Sequence, residues 1–300
     1  MTSKFVHPEF IVETAWLAEH LHDANVRVLD CTTHLMPPTA SGPYEVVSGR
    51  ADFEKGHIAG AGFVDIDHDI SDHDHDLHFM MPMPKDFAEA MSRLGVGDDT
   101  KVVIYSTANH WWATRVWWML RVFGHDNAAV LNGGFQKWSR EGRPVEQGSE
   151  RLPRQASFTA KYRGGHVAGK AEVLAAIGAQ DICTLNALRP DQHAGTGGTG
   201  PDQHAGTGGT VYGRLGHIKG SINVASVNVV DANNEFKSAT ELRAMFAGAL
   251  AAPRVITYCG GGIAASSATM ILTMLGHQNV QLYDASLSEW APDPSLPMEC

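Results

Sequence analysis

Apolar residues fall in short runs, Val26–Cys31, Val102–Tyr105, Ile182–Leu185 and Val255–Tyr258. Between the runs they recur at helical spacing, as at Val173, Leu174 and Ile177, or at Ala264, Ala268, Ile271, Leu272 and Leu275. The short runs predict buried strands and the spaced stretches predict helices with one apolar face. Alternation of the two predicts an α/β fold whose sheets are mainly parallel and flanked by helices.

The same order of signals appears twice. Phe53-x-x-x-His57-Ile58-Ala59-Gly60-Ala61 is answered by Gly216-His217-Ile218-Lys219-Gly220-Ser221, and Val102-Val103-Ile104-Tyr105 by Val255-Ile256-Thr257-Tyr258. Gly133-Gly134-Phe135-Gln136-Lys137-Trp138 is answered by Ala285-Ser286-Leu287-Ser288-Glu289-Trp290, and Leu29-Asp30 by Leu185-Asn186. The nearly constant offset predicts two similar domains in tandem, residues 1–145 and 166–300, joined by a linker at 146–165. The stretch from Arg143 to Gly165 supports that division, because it is polar, carries Pro144 and Pro153 and has no sustained period. A chain of 300 residues is long enough for each half to bury its own core. Pro190 to Thr199 recurs letter for letter as Pro201 to Thr210. That period is too short and polar for a solenoid, so it reads as a duplication inside a surface loop, where added length costs little.

Charge narrows the partners. With 23 Lys plus Arg against 33 Asp plus Glu, the chain is acidic, and such a field disfavours nucleic acid and anionic membrane surfaces. No apolar run approaches the length of a membrane span and the N-terminus lacks a signal-peptide core, which predicts a cytoplasmic protein. Cys31, Cys183, Cys259 and Cys300 are widely spaced without a Cys-x-x-Cys pair, so free thiols in a reducing compartment are expected. Cys31 and Cys183 lie in or beside apolar runs and read as core; Cys300, the last residue, reads as mobile.

Cys259 differs from the other three. It stands in Tyr258-Cys259-Gly260-Gly261-Gly262-Ile263-Ala264, between a predicted strand and a predicted helix. A cysteine on such a turn meets several backbone N–H groups and the positive end of the helix dipole, which favour a thiolate and any anionic adduct it forms. Three glycines let the backbone curl around the sulfur, a feature that a core-filling cysteine would not require.

These motifs resemble the rhodanese superfamily, specifically its two-domain thiosulfate and 3-mercaptopyruvate sulfurtransferases, over nearly the whole chain. The resemblance is carried by Phe53 to Ala61, by the Tyr-Cys-Gly-x-Gly loop at 258–262, and by Tyr283-Asp284-Ala285-Ser286-x-x-Glu289-Trp290. It implies two tandem rhodanese-like domains: a silent N-terminal domain, with Ser106 at the place of the cysteine, and a catalytic C-terminal one. It implies a double displacement, in which Cys259 takes the outer sulfur of a small anionic donor and passes it from a persulfide to a thiol, cyanide or a thioredoxin-like protein. Amides of Gly260, Gly261, Gly262, Ile263, Ala264 and Ala265 would hold the negative charge. Thiosulfate-preferring relatives place Arg and Lys after the cysteine; the glycines here look more like the mercaptopyruvate enzymes, in which arginines before Gly-His-Ile hold a carboxylate. Arg214 stands at such a place, Arg189 is a second candidate, and Asp67 matches an aspartate near the cleft of relatives. This chain departs from those enzymes at Gly261, where they carry a serine or threonine, at Leu188, where they carry an arginine, and at His193 or His204, where they carry another.

The remaining constellations carry less. Asp65 to His78 is crowded with histidine and aspartate and could in principle bind zinc; alternating polar residues in a loop rarely converge, so a solvated interdomain loop is expected, with neither metal nor cofactor. Trp111, Trp112, Trp117 and Trp118 predict core or interdomain packing, with Trp111 or Trp112 as a wall of the pocket. His57 and His217 are expected to brace the fold. A cysteine phosphatase needs an arginine six residues after the cysteine, where this chain has Ala265. A persulfide carrier and a non-catalytic binding module are the alternatives from other classes.

Overall fold

The computed structural model describes residues 4–36, 45–150, 156–196 and 212–300. Strands β1 (Ile11–Val12), β2 (Val26–Asp30), β3 (Gly62–Phe63), β4 (Lys101–Tyr105) and β5 (Ala128–Leu131) form one sheet in the order β1-β5-β4-β2-β3. Strands β6 (Val167–Ala168), β7 (Ile182–Asn186), β8 (Ile222–Asn223), β9 (Arg254–Tyr258) and β10 (Val280–Tyr283) form a second in the order β6-β10-β9-β7-β8. Every pairing in both sheets is parallel. The topologies coincide strand for strand, as the internal repeat predicts. The central strands β4 and β9 are β-branched and aromatic along nearly their whole length and buried on both faces, as befits a parallel sheet covered on each side.

Register places the two turns alike. Asp30 pairs with Tyr105 and Asn186 with Tyr258, so Ser106 and Cys259 leave their sheets at the same point. Each strand then feeds a buried helix, α1 (His110–Val122) and α2 (Ile263–Met274). Both helices stop in the same way: Gly124 and Gly276 take positive φ, and His125 N–H and His277 N–H reach back to the carbonyls of Leu120 and Leu272 at 2.8 and 2.9 Å. Both helices are apolar nearly all round, since each packs on its own sheet and on the other helix. At their contact Thr114 Oγ1 lies 2.7 Å from Ser266 Oγ and 3.1 Å from Ser267 Oγ, while Trp112, Trp117 and Trp118 fill the surrounding core.

A charged lock sits in the same seam. Arg115 on α1 is completely buried, pairs with Asp284 at the end of β10 and donates to the carbonyl of Phe79. Asp284 also accepts from Met81 N–H at 3.1 Å, and the Arg115 guanidinium lies 4.7 Å from the Trp118 ring centroid. One residue of α1 thus fastens the 79–81 segment to the second domain.

Several expectations are refined. The described parts of the stretch around 146–165 are fastened to the first domain: Val145 and Glu146 pair antiparallel with Ile58 and His57, and Lys161 and Arg163 N–H donate to the carbonyls of Phe123 and Val122. Cys300 is not a mobile tail, because the preceding Met298–Glu299 pairs antiparallel with His217–Ile218. Cys31 is buried, whereas Cys183 is only half-buried, since β7 deepens from Ile182 toward Asn186. His57 Nδ1 lies 2.8 Å from the Phe53 carbonyl with the two rings stacked, and His217 Nδ1 lies 2.7 Å from the His193 carbonyl, so both histidines brace their turns. In the 65–78 region Asp65 caps the short helix Ile66–Asp69, and the ring of His73 bonds the His68 carbonyl. Among the described residues no group of three or more potential metal ligands gathers, and no helix is long and apolar enough to cross a membrane. The second copy of the duplicated decapeptide, with His204, lies outside the described residues; the first opens with a helical turn at Pro190–His193.

Candidate active site

Cys259 follows β9 directly and is 2 % exposed, yet it forms part of the wall of a cavity of about 1140 Å³ between the two domains. Tyr258 anchors the strand end beneath it. Its phenol oxygen receives Ile218 N–H at 2.9 Å and Asn186 Nδ2 at 3.0 Å and lies 2.7 Å from Ser221 Oγ; burial pushes this phenol up to about 12. The turn then passes through Gly262 at φ 76°, a left-handed conformation that suits glycine and opens α2. A Cβ at Gly262 would lie 2.6 Å from the Asp284 carbonyl and 3.1 Å from Arg115 Nη1, so the loop rests on the interdomain lock. The first amides of α2 have no carbonyl of their own helix to bond.

Ser286 holds the loop in shape. Its Oγ accepts Cys259 N–H at 3.0 Å and Gly262 N–H at 3.2 Å while donating to the Tyr283 carbonyl at 2.8 Å. It does so at φ 50°, a conformation that side chains rarely adopt. The equivalent residue of the first domain is Gly134, at φ 55°, which meets the same turn without a hydroxyl. Ser288 adds a second clamp, its N–H and Oγ donating to the Gly260 carbonyl at 2.8 and 2.9 Å.

The rest of the cavity is largely apolar. Trp111 and Trp112 contribute from α1 and Phe79 from the fastened segment, with Leu35 and Met36 from the ribbon in which Thr33–Met36 pairs with Glu45–Ser48. Polar side chains are interspersed, among them Thr33, Asp76, Asn109, Gln192 and Ser226. His78 faces the cavity with its Nδ1 3.5 Å from Asp67 Oδ1, and His34 Nε2 lies 2.8 Å from Asp52 Oδ2. Tyr212 also lines the cavity, beside Gly260.

Placement of the sequence-predicted residues is uneven. Gly260, Gly261, Ile263 and Ala264 line the cavity with Cys259, while Gly262 and Ala265 stand behind that wall. Arg189 lines it too, gripped by Asp191, whose oxygens lie 3.1 Å from its Nε and Nη2. Asp67 reaches it through His78. Arg214 is directed elsewhere: its guanidinium donates to the carbonyls of Trp290, Ala291, Asp293 and Leu296 and ties down the C-terminal segment. The resemblance implies an anion beside Arg214; in the structure its donors go to these four carbonyls. Ser106 sits in the matching turn of the first domain, buried, accepting Ala108 N–H at 3.0 Å. Tyr212 and His78 escape a reading by motif, since a tyrosine beside a polar repeat and one histidine among many carry no distinctive local pattern; Ser286 stands in the closing motif, but its role as a clamp on the loop is not legible there.

The comparisons with known proteins agree with this geometry. The Rhodanese-like domain family matches residues 13–141 and 202–293. The chain is 33% identical over 97% of its length to the 3-mercaptopyruvate sulfurtransferase of Escherichia coli (strain K12), covering 98% of that protein. It is 32% identical over 93% of its length to the thiosulfate sulfurtransferase of Rattus norvegicus, covering 91% of it, and 30% identical over 98% to a sulfur carrier protein of Thermus thermophilus, covering 98%. The crystal structure of the Escherichia coli 3-mercaptopyruvate enzyme superposes with a TM-score of 0.76 at 31% identity, over 92% of this chain and 98% of that one. Two matched segments, two sheets of identical order and relatives that share nearly the full length lead to one assignment: the chain belongs to the rhodanese-like family and is a two-domain sulfurtransferase.

Proposed function

We propose that this sulfurtransferase draws sulfur from 3-mercaptopyruvate through a persulfide on Cys259, with residues 166–300 carrying the chemistry and residues 1–145 supplying the far wall of the pocket. Cys259 thiolate attacks the donor sulfur, the C–S bond breaks, and its electron pair leaves with the three-carbon fragment as pyruvate enolate. The observation that carries this reading is the position of Cys259: on a glycine turn, its loop clamped by Ser286, at the mouth of α2 and in the wall of the interdomain cavity. Arg189, the arginine among the described lining residues, would receive the donor carboxylate, with Asp191 fixing its guanidinium. An apolar wall and a single arginine suit a monoanion better than the thiosulfate dianion. His78, oriented by Asp67, would take the proton of an incoming thiol before its sulfur attacks the persulfide. A small thiol, cyanide or a thioredoxin-like protein would serve as acceptor, and four unpaired cysteines accord with a reducing, cytoplasmic setting.

Steady-state assays test the assignment. Cys259→Ser is expected to abolish pyruvate release with the fold intact. Arg189→Ala is expected to raise KM for 3-mercaptopyruvate on the order of tenfold, whereas Arg214→Ala should lower thermal stability and leave KM unchanged. A KM that responds to Arg214 and not to Arg189 would overturn the assignment of the anion site.

A further inference from the structure

The loop that opens Cys-Gly-Gly-Gly has room for a side chain at one position and none at another. A Cβ at Gly261 would meet only Ser288 Oγ, at 3.6 Å, an ordinary contact. A Cβ at Gly260 would lie 2.1 Å from both the ring carbon Cζ and the hydroxyl oxygen of Tyr212, and 2.6 Å from Cε2. The tip of a tyrosine fills the space that a side chain at 260 would need, and a phenol lies against the residue bonded to Cys259. Both residues line the interdomain cavity.

The chemistry proposed above needs a proton at this place. When the C–S bond of 3-mercaptopyruvate breaks, the carbon that held sulfur leaves as an enolate and must be protonated to give pyruvate. We propose that Tyr212 is the proton donor of this half-reaction, its phenol standing in for the hydroxyl that Gly261 cannot offer; the inference rests on the reading of Cys259 as sulfur acceptor. In atoms and charges, Cys259 thiolate bonds to the donor sulfur, the C–S electron pair passes to the enolate, and Tyr212 O–H gives its proton to the enolate carbon. The tyrosinate so formed regains a proton from the new Cys259–S–SH, leaving a persulfide anion in the field of the loop amides. No oxidant or reductant enters. Removal of the sulfur by cyanide needs no such proton, because cyanide attacks the outer sulfur and Cys259 departs as thiolate.

That asymmetry gives the test. In the full-length protein, Tyr212→Phe retains the ring over Gly260 and removes only the hydroxyl. Single-turnover loading of Cys259 by 3-mercaptopyruvate, followed by mass spectrometry, and discharge of the loaded enzyme by cyanide are measured separately for wild type and variant. Loading is expected to slow by about a hundredfold while discharge stays within about twofold. Equal loading rates, or equal slowing of both steps, would overturn the role of Tyr212, the latter because a distorted loop would impair both. Failure of the wild type itself to take up sulfur would instead sink the reading of Cys259.

Discussion

Ser286 and Gly134 occupy matching turns of the two domains, at φ 50° and 55°, but only the serine sends a hydroxyl to the amides of the loop that bears Cys259. The strain of a non-glycine residue in this region is of order 1 kcal/mol or more, and it persists where surrounding bonds enforce it. Ser286→Ala leaves two loop amides without their acceptor and is expected to cost about 1–3 kcal/mol in stability. Sulfur transfer should slow on the order of tenfold or more, since the loop amides lose their fixed aim. Ser286→Gly relieves the backbone, so it should lose less stability than the alanine variant and as much activity. Equal activity in wild type and both variants would show that the clamp is irrelevant to the reaction. At this scale the sequence revealed the cysteine, because strand, glycines and helix converge on it in the seven letters from Tyr258 to Ala264; it concealed the clamping role of Ser286 and the place of Tyr212, whose partners lie 24 to 48 positions away.

Helices α1 and α2 are where the two halves become one enzyme. Periodicity announced both, and the tryptophans of α1 announced that it would be buried, yet the seam's polar contacts depend on pairing across domains that no local pattern encodes. Arg115 is a charge within the largely apolar helix α1. In the structure it is sealed against Asp284, Phe79 and Trp118, and Phe79 adjoins His78, which faces the cavity. Arg115→Met leaves the Asp284 carboxylate buried without its cation and is expected to cost about 3–5 kcal/mol by chemical denaturation. Combining it with Asp284→Asn, which retains an acceptor for Met81 N–H, should recover part of that loss, as expected for residues that act as a unit. Strictly additive losses would mean that the two charges do not depend on each other.

The whole molecule is a doubled plan, with Cys259 on the turn of one copy and Ser106 on that of the other, and the places where the copies differ are informative. Repeat offsets and strand order were legible in the sequence because both rest on apolar periodicity; the course of the 146–165 stretch and the use of Arg214 were not, because each is set by distant carbonyls. Asp30 and Asn186 form another such pair. Asp30 is wholly buried, accepts Thr32 N–H at 2.9 Å and Thr32 Oγ1 at 2.5 Å, and burial pushes its carboxyl up to about 6. Between the ordinary value of 3.8 and about 6 the folded protein holds a proton that the unfolded chain has released. Stability from this group is therefore complete below that window and is lost as pH rises through it, to a total of about 3 kcal/mol. Asn186 shows that the amide fits the matching site, donating there to Tyr258. Asp30→Asn should accordingly gain stability over wild type as pH rises from 4 to 6 and hold the gain above; a difference independent of pH would contradict the assignment. The most direct trial of the whole account is mass spectrometry of the intact and digested protein after exposure to 3-mercaptopyruvate. The expected result is one added sulfur on the peptide bearing Cys259, matched by released pyruvate and absent from Cys259→Ser. No added sulfur, or sulfur spread over Cys31, Cys183 and Cys300, would contradict it.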